Sequence, residues 1–317
     1  LRRSGFRWRP RWGFRGVGLR SAGRVAGWTL GALVVGQVGL ALLSQVANRA
    51  EDAGAAATGR FVYDTAFLLF MLPHSLVAVS VVTAVFTRMS HAVVTHRLDA
   101  LRADVSVALR TIGVATVLAT VAVAVLGTDL TTLLFATNSR STAQGLAWTT
   151  TAMVIGLVPF SAMYLFQRVF YAFGDARTPF WVQVVVIAVW SAGNVLAGAR
   201  LQGVPVVVGI GVAMSVANVL GALVLAVLTS RRIGGIDGMR VLSTYLRCTI
   251  AAVLAGVLGW AAAAATHLLA GEGHRGALLA LLIGGTVLLV VYVAALRVLR
   301  VRELALVAAP LRRVVRI

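Results

Sequence analysis

Apolar residues run through this chain in long unbroken stretches, with few of the polar interruptions that mark a soluble amphipathic helix. Eight such stretches are read, over 25–47, 61–87, 106–126, 146–172, 180–199, 204–229, 244–270 and 276–296. Each reaches the roughly 20 residues that a helix needs to cross the hydrocarbon core of a bilayer. In lipid only helices and closed barrels satisfy their own backbone hydrogen bonds, and the alternating strands of a barrel are absent from the pattern. The chain is therefore predicted to be an all-α polytopic membrane protein with eight transmembrane helices.

Composition agrees and excludes a soluble enzyme. The chain has 317 residues, 59% of them hydrophobic and 12% charged, with a mean hydropathy of +0.91. A soluble domain carries about 25% charged residues. The single cysteine, Cys248, excludes a disulfide framework and a cysteine metal cluster. The formal net charge is +19, and every basic residue is Arg. Nucleic acid is one partner such a charge could imply. The distribution argues instead for membrane loops. The segments 1–24, 88–105, 173–179, 230–243 and 297–317 hold 21 of the 29 arginines, whereas the alternate loops hold Arg49, Arg60, Arg140, Arg200 and Arg275. Basic residues collect on the cytoplasmic side, so both ends of the chain are placed there, in a cytoplasmic (inner) membrane, and no nucleic-acid partner is expected. In 1–24 the arginines interleave with Phe6, Trp8, Trp12 and Phe14, as in an interfacial segment on anionic lipid. The run 297–317 reads as an amphipathic tail along the inner leaflet. The chain opens on Leu1-Arg2-Arg3 without an initiator Met and is read as part of a longer protein.

Polar residues inside the spans are costly and are the natural functional candidates. Asp64 lies near the outer end of the second span, as an interfacial acid or a cavity residue. Arg110 is one turn into the third span, where snorkelling to the headgroups accounts for it. Arg168 lies about two turns from a cytoplasmic loop and either faces a cavity or snorkels. Pro73 frees a backbone carbonyl in the second span and can kink it; the adjacent His74 either bonds that carbonyl or meets a polar ligand. Asn194 and Asn218 are intramembrane amides, suited to helix-to-helix hydrogen bonds or to substrate. Gly27-x-x-x-Gly31 and the Ala-rich 261–265 permit close helix approach. In the tract Arg168 to Pro179, Gly174 suits a left-handed helix end, Thr178 an N-cap and Pro179 the first helical position. There is no nucleophile with a paired base, no metal-ligand spacing and no phosphate-cradling loop. No enzyme activity, metal or cofactor is expected.

Two of these tracts carry a family resemblance. Arg168-Val-Phe-Tyr171-Ala-Phe-Gly174-Asp175-Ala-Arg177-Thr178-Pro179 resembles the R-x-F-Y-A-x-G-D-x-R-T-P segment of MurJ/MviN proteins. Phe70 to Ser80, with Pro73 and His74, continuing to Thr83 and Arg88-Met89-Ser90, resembles their LP-x-x-L-x-x-V-S…R-x-S helix. The resemblance extends in order and spacing over essentially the whole chain. It implies that family's fold, in which fourteen helices form two lobes around a central cavity, similar to exporters of the MOP superfamily. This chain would supply helices seven to fourteen: a basic loop over 1–24, the second six-helix lobe over 25–229, two further helices over 244–296 that form a lipid-tail groove, and the tail 297–317. Leu68 and Met71 stand where many members have Arg and Glu. The sodium-site pattern of some members is incomplete here: 25–46 has no acid, and Trp190 stands at the first of two paired polar positions, with Asn194 at the second.

The resemblance implies flipping of lipid II across the cytoplasmic membrane for peptidoglycan synthesis by alternating access. Its candidate substrate residues here are Arg168, His74, Asn194, Asn218 and Asp64, with the loop residues Gly174, Asp175, Arg177, Thr178 and Pro179 and the kink at Pro73. Implied partners are lipid II or a related polyprenyl diphosphate-linked glycan, the bilayer, the N-terminal lobe, and cell-wall synthesis and division proteins. A MOP-type exporter of another polyprenyl-linked glycan or small molecule, and a non-transporting scaffold for cell-wall synthesis, are the alternatives. A membrane glycosyltransferase would need a catalytic acid outside, and none of Glu51, Asp52, Asp129 and Glu272 sits in a recognisable motif.

Overall fold

The computed structural model describes residues 19–52, 59–134, 140–271 and 273–305. The described residues form helices α1 (Leu19–Asp52), α2 (Arg60–Pro73), α3 (Ser80–Val94), α4 (Leu98–Leu134), α5 (Arg140–Val154), α6 (Leu157–Ala172), α7 (Arg177–Arg200), α8 (Val204–Ile233), α9 (Gly238–Ala270) and α10 (His274–Val298). A π-helical stretch, His74–Val79, joins α2 to α3 without a break. Seven helical runs are long and apolar enough to cross a membrane, and the bent pair Ala143–Val154 and Leu157–Ala172 makes an eighth. Of the basic opening segment, 19–24 already belongs to α1, and 1–18 lies outside the described residues.

The stretch 146–172 is not the single straight helix expected from hydropathy. It turns through 45° between α5 and α6. The cause is local. Gly156 donates its N–H to Met153 O at 2.9 Å, three residues back, which leaves Ala152 O without its regular partner. Pro159, with no N–H, cannot pair with Ile155 O. Other helices donate to two carbonyls at the bend. Ser215 Oγ of α8 donates to Ala152 O at 2.6 Å, and Thr120 Oγ1 of α4 donates to Val154 O at 3.0 Å. Gly156 lies so close to α8 that a Cβ there would stand 2.7 Å from Ser215 Cα. The bend is thus fixed by two neighbouring helices.

Pro73 has the same effect in milder form. Its missing N–H loosens the ladder, and the chain passes into one π-helical turn, an arrangement common where a helix must yield without breaking.

Long α4 is the axis of the C-terminal packing. Tyr245 of α9 donates its hydroxyl to Leu109 O at 3.0 Å, and Tyr292 of α10 donates to Val114 O at 2.7 Å. α9 and α10 meet backbone to backbone: a Cβ on Gly259 would lie 3.1 Å from Gly284 O, and one on Gly284 would lie 3.0 Å from Gly259 O. Small residues permit this approach, as they do between membrane helices generally. Of the pair noted in α1, a Cβ on Gly31 would lie 3.0 Å from the Phe180 ring, whereas one on Gly27 would meet nothing within 4 Å among the described residues.

Arg110 does not snorkel. Its Nη1 pairs with Glu303, its Nε donates to Ser106 O at 3.2 Å, and the Arg110 and Glu303 side chains are only 18% and 7% exposed. Glu303 comes from the turn that follows α10, where Val301 is also buried. The first residues of the 297–317 run are thus packed against the bundle; 306–317 lie outside the described residues. Removing one partner of a buried ion pair strands the other charge. Arg110→Ala is expected to destabilise the protein by about 3 kcal/mol, and Arg110→Met combined with Glu303→Leu to recover most of the loss. Thermal unfolding of the detergent-purified variants measures this, and an undiminished Arg110→Ala would refute the pairing.

Candidate functional site: a cleft lined by aromatic rings and amides

A cleft of about 750 Å³ opens between α1, α2, α6, α7 and α8. One wall is aromatic. Tyr63, Phe67, Phe70 and Phe160 follow one another at ring separations of 6.0, 5.9 and 5.3 Å, and Trp190 of α7 stands 6.3 Å from Tyr63. Spacing along α2 produces the row, since residues three or four apart share a helix face. The bend before α6 brings Phe160 to its end. The polar lining is made of neutral amides: Gln37 of α1, Gln167 of α6, Gln183 of α7 and Asn218 of α8. At the α2 end the cleft also holds an ion pair, Arg60 Nε to Asp64 Oδ2 at 3.1 Å, with Arg60 Nη1 reaching Ser44 Oγ. At the opposite end are Tyr171, Ala176 and Pro179.

The residues singled out in the sequence divide into three groups. Asp64 and Asn218 line the cleft. Asp64 is half-exposed and ion-paired, so it is both an interfacial acid and a cleft residue. His74 and Arg168 lie behind the wall. His74 is buried and does not bond a freed carbonyl; its Nδ1 lies 2.9 Å from Ser161 Oγ. Its ring packs on Phe160 and Tyr164 at 4.6 and 5.2 Å. Arg168 donates from Nη2 to Tyr164 Oη at 2.7 Å and lies over the rings of Tyr164 and Tyr171 at 4.8 and 5.7 Å. It reaches the cleft only through Tyr171. Asn194 is fully buried in α7, and neither polar atom of its amide has a hydrogen-bond partner among the described residues. The helix-to-helix bond expected of it is not made, and Asn218 Nδ2 is likewise unpaired.

The loop tract is built as a helix stop followed directly by a helix start. Gly174 has φ +71°, Gly174 N–H bonds Tyr171 O at 2.9 Å, and Asp175 N–H bonds Phe170 O at 3.0 Å. This is the Schellman arrangement that a C′ glycine permits. Capping of α7 falls to Asp175, not Thr178. Asp175 Oδ1 accepts the Thr178 N–H at 3.1 Å and Oδ2 accepts the Thr178 hydroxyl at 2.8 Å. Helix α7 has already begun at Arg177, so Thr178 and Pro179 lie within its first turn. Arg177 lies over Trp28 at 5.9 Å, tying the loop to α1.

Sequence reasoning missed Gln37, Gln167, Gln183 and Arg60. The signal was there: three glutamines inside apolar spans are as costly as the asparagines. What hydropathy could not supply was the face of each helix. Among the described residues no three His, Cys, Asp or Glu side chains converge as a metal site requires. Asp129, one of the acids assigned to the outside, meets His267 Nε2 at 2.8 Å.

The family model of the lipid II flippase MurJ matches residues 1–284. The chain belongs to the MurJ family. A solved structure described as lipid II flippase MurJ, inward closed conformation, superposes with a TM-score of 0.63 at 19% identity, covering 84% of this chain and 52% of that one. The chain therefore has the MurJ fold and spans about half the length of that relative. The cleft residues above lie inside the matched region, as does the Arg168–Pro179 tract. With both of its hydrogen bonds to Thr178 lost, Asp175→Ala is expected to cost about 1 kcal/mol and to open the 173–176 loop to protease. Asp175→Asn, which keeps an acceptor oxygen, is expected to lose less. Nicking rates that are equal in all three proteins would show that this cap does not hold the loop.

Proposed function

We propose that the chain is the second lobe of a lipid II flippase and forms one side of a cavity through which the headgroup crosses the cytoplasmic membrane. The observation that supports this reading best is the cleft itself. Within an otherwise apolar bundle it gathers four amides and an ion pair along an aromatic wall. A polyprenyl-linked substrate poses a matching problem: its tail can remain in lipid, while its sugar and diphosphate need polar contacts on the way across. Gln37, Gln167, Gln183 and Asn218 offer donors and acceptors to sugar hydroxyls, and Arg60 offers a bidentate fork to phosphate. Arg168 and His74 act from behind the wall, holding Tyr171 and Phe160 in place. A first lobe preceding this one closes the cavity, and rocking of one lobe against the other exposes it to each side in turn. The helices α9 and α10 stand outside this lobe and guide the lipid tail. The transporter catalyses no covalent step.

Two experiments test the reading. In full-length protein expressed in a flippase-depleted strain, Gln183→Leu and Asn218→Leu are each expected to slow lipid II translocation about 2- to 10-fold at normal protein levels, as loss of one hydrogen bond implies. Wild-type rates in the double variant would remove the cleft from the transport path. The arginine distribution supports an orientation with the 173–176 loop in the cytoplasm. A cysteine at Gly273 is then expected to react with an impermeant thiol reagent in intact cells, and one at Arg97 only after lysis; the reverse pattern would invert the topology.

A further inference from the structure

Away from the cleft, the arginines at one end of α9 and α10 form an arrangement that membrane insertion alone does not require. Two adjoining hollows of about 640 and 680 Å³ share Arg247, Arg300, Val301 and Arg302. Arg240 of α9 lines one and Arg297 of α10 the other. Five guanidinium groups, two from α9 and three from the end of α10 and the turn after it, thus line these two adjoining hollows. Among the described residues the only acid lining either hollow is Glu303, and Arg110 already holds it. Among the described residues none of these five arginines has a carboxylate partner; Arg247 donates only to the neutral Leu299 O at 3.2 Å.

Three further features sharpen the need for an anion. Arg240 lies in the first turn of α9, where the helix dipole disfavours a cation, and the N-cap residue Asp237 makes no ion pair with it. Ser243 and Thr244 add two hydroxyls to the same hollow. Arg300 stands at φ 54°, in the left-handed position that closes α10, with Val301 N–H bonded to Leu296 O at 3.0 Å. Glycine fills that position without strain, so the arginine there keeps a side chain at a backbone cost. Immediately beside the hollow, Met239, Leu242 and Leu246 are 80%, 64% and 59% exposed and follow one face of α9 into the apolar span.

We propose that this pocket binds a phosphate anion carried by an anionic phospholipid, the headgroup among Arg240, Arg247, Arg297, Arg300 and Arg302 and an acyl chain along Met239, Leu242 and Leu246. Arginine forks suit phosphate oxygens, and an apolar strip leading from the pocket suits a lipid better than a soluble phosphate. The site lies outside the transport cleft, and its test involves no transport and no lipid II.

The test is equilibrium binding of labelled phosphatidylglycerol and phosphatidylcholine to the delipidated full chain in detergent. Phosphatidylglycerol is expected to bind at least tenfold more tightly, and equal affinities would overturn the proposal. Each arginine removed is expected to weaken phosphatidylglycerol binding about fivefold, so Arg240→Gln, Arg300→Gly and Arg302→Gln together lose about 100-fold. Arg300→Gly is the informative single change: glycine relieves the turn, so the protein stays folded while affinity falls. Unchanged affinity in the folded Arg300→Gly and triple variants would overturn the assignment. Competition distinguishes the two sources of phosphate. Millimolar inorganic phosphate is expected to leave bound phosphatidylglycerol in place, and full displacement would identify a soluble-anion site and overturn the lipid reading.

Discussion

A backbone carbonyl left unpaired in hydrocarbon costs several kcal/mol, and much of this architecture follows from meeting that constraint where helices deviate. At the α5–α6 bend Gly156 and Pro159 withdraw the regular donors of the carbonyls of 152 and 155. Ser215 and Thr120, from two other helices, donate to the carbonyls of 152 and 154. The repair also joins elements: α4 and α8 are pinned to the bend, and the bend aims Phe160 at the aromatic row of α2. The π-helical turn after Pro73 serves the same wall, because it brings His74 against Ser161, one residue beyond Phe160. A bend and a π-helical turn that a straight bundle would avoid therefore set the shape of the cleft wall.

The polar side chains obey the same constraint in two ways. Some are spent on backbone, as with Tyr245 and Tyr292, which bind α9 and α10 to α4. Others are left free on the cleft. Asn194 fits neither class. It is buried in α7 next to Gly193, where a Cβ would stand 2.5 Å from Ala213 of α8, and its amide has no partner among the described residues. So close an approach of α7 to α8 leaves little room around the amide.

Hydropathy made the spans legible because lipid imposes their length directly. It could not show the bend, since Gly156 is as apolar as its neighbours and the donors that stabilise the break lie in α4 and α8. Pro159 was the visible clue. Depth in the membrane was also legible, and azimuth was not. Arg110 and Arg168 were both placed about one or two turns from an aqueous end, yet one pairs with Glu303, far along the chain, and the other stacks on its own helix neighbours Tyr164 and Tyr171. In the loop tract Gly174 was readable because only its backbone freedom mattered. The cap was not, because Asp175 and Thr178 are both good capping residues and only geometry decides which of them accepts the free N–H groups.

Charge balance bears on how a lobe of this kind can handle an anion. Neutral amides orient a sugar, but they do not offset the charge of a diphosphate in a medium where isolated ions are heavily penalised. Among the described residues the only cation lining the cleft is Arg60, and Asp64 already offsets much of its charge. Arg168, the other candidate, is turned onto tyrosine rings. For the proposed substrate, then, most of the compensating positive charge must come from the wall that faces this lobe, with Arg60 joining it only if Asp64 lets go. Such a division suits the proposed alternating access, because a headgroup held mainly by an opposite wall would lose its grip on this one as the two proposed lobes part.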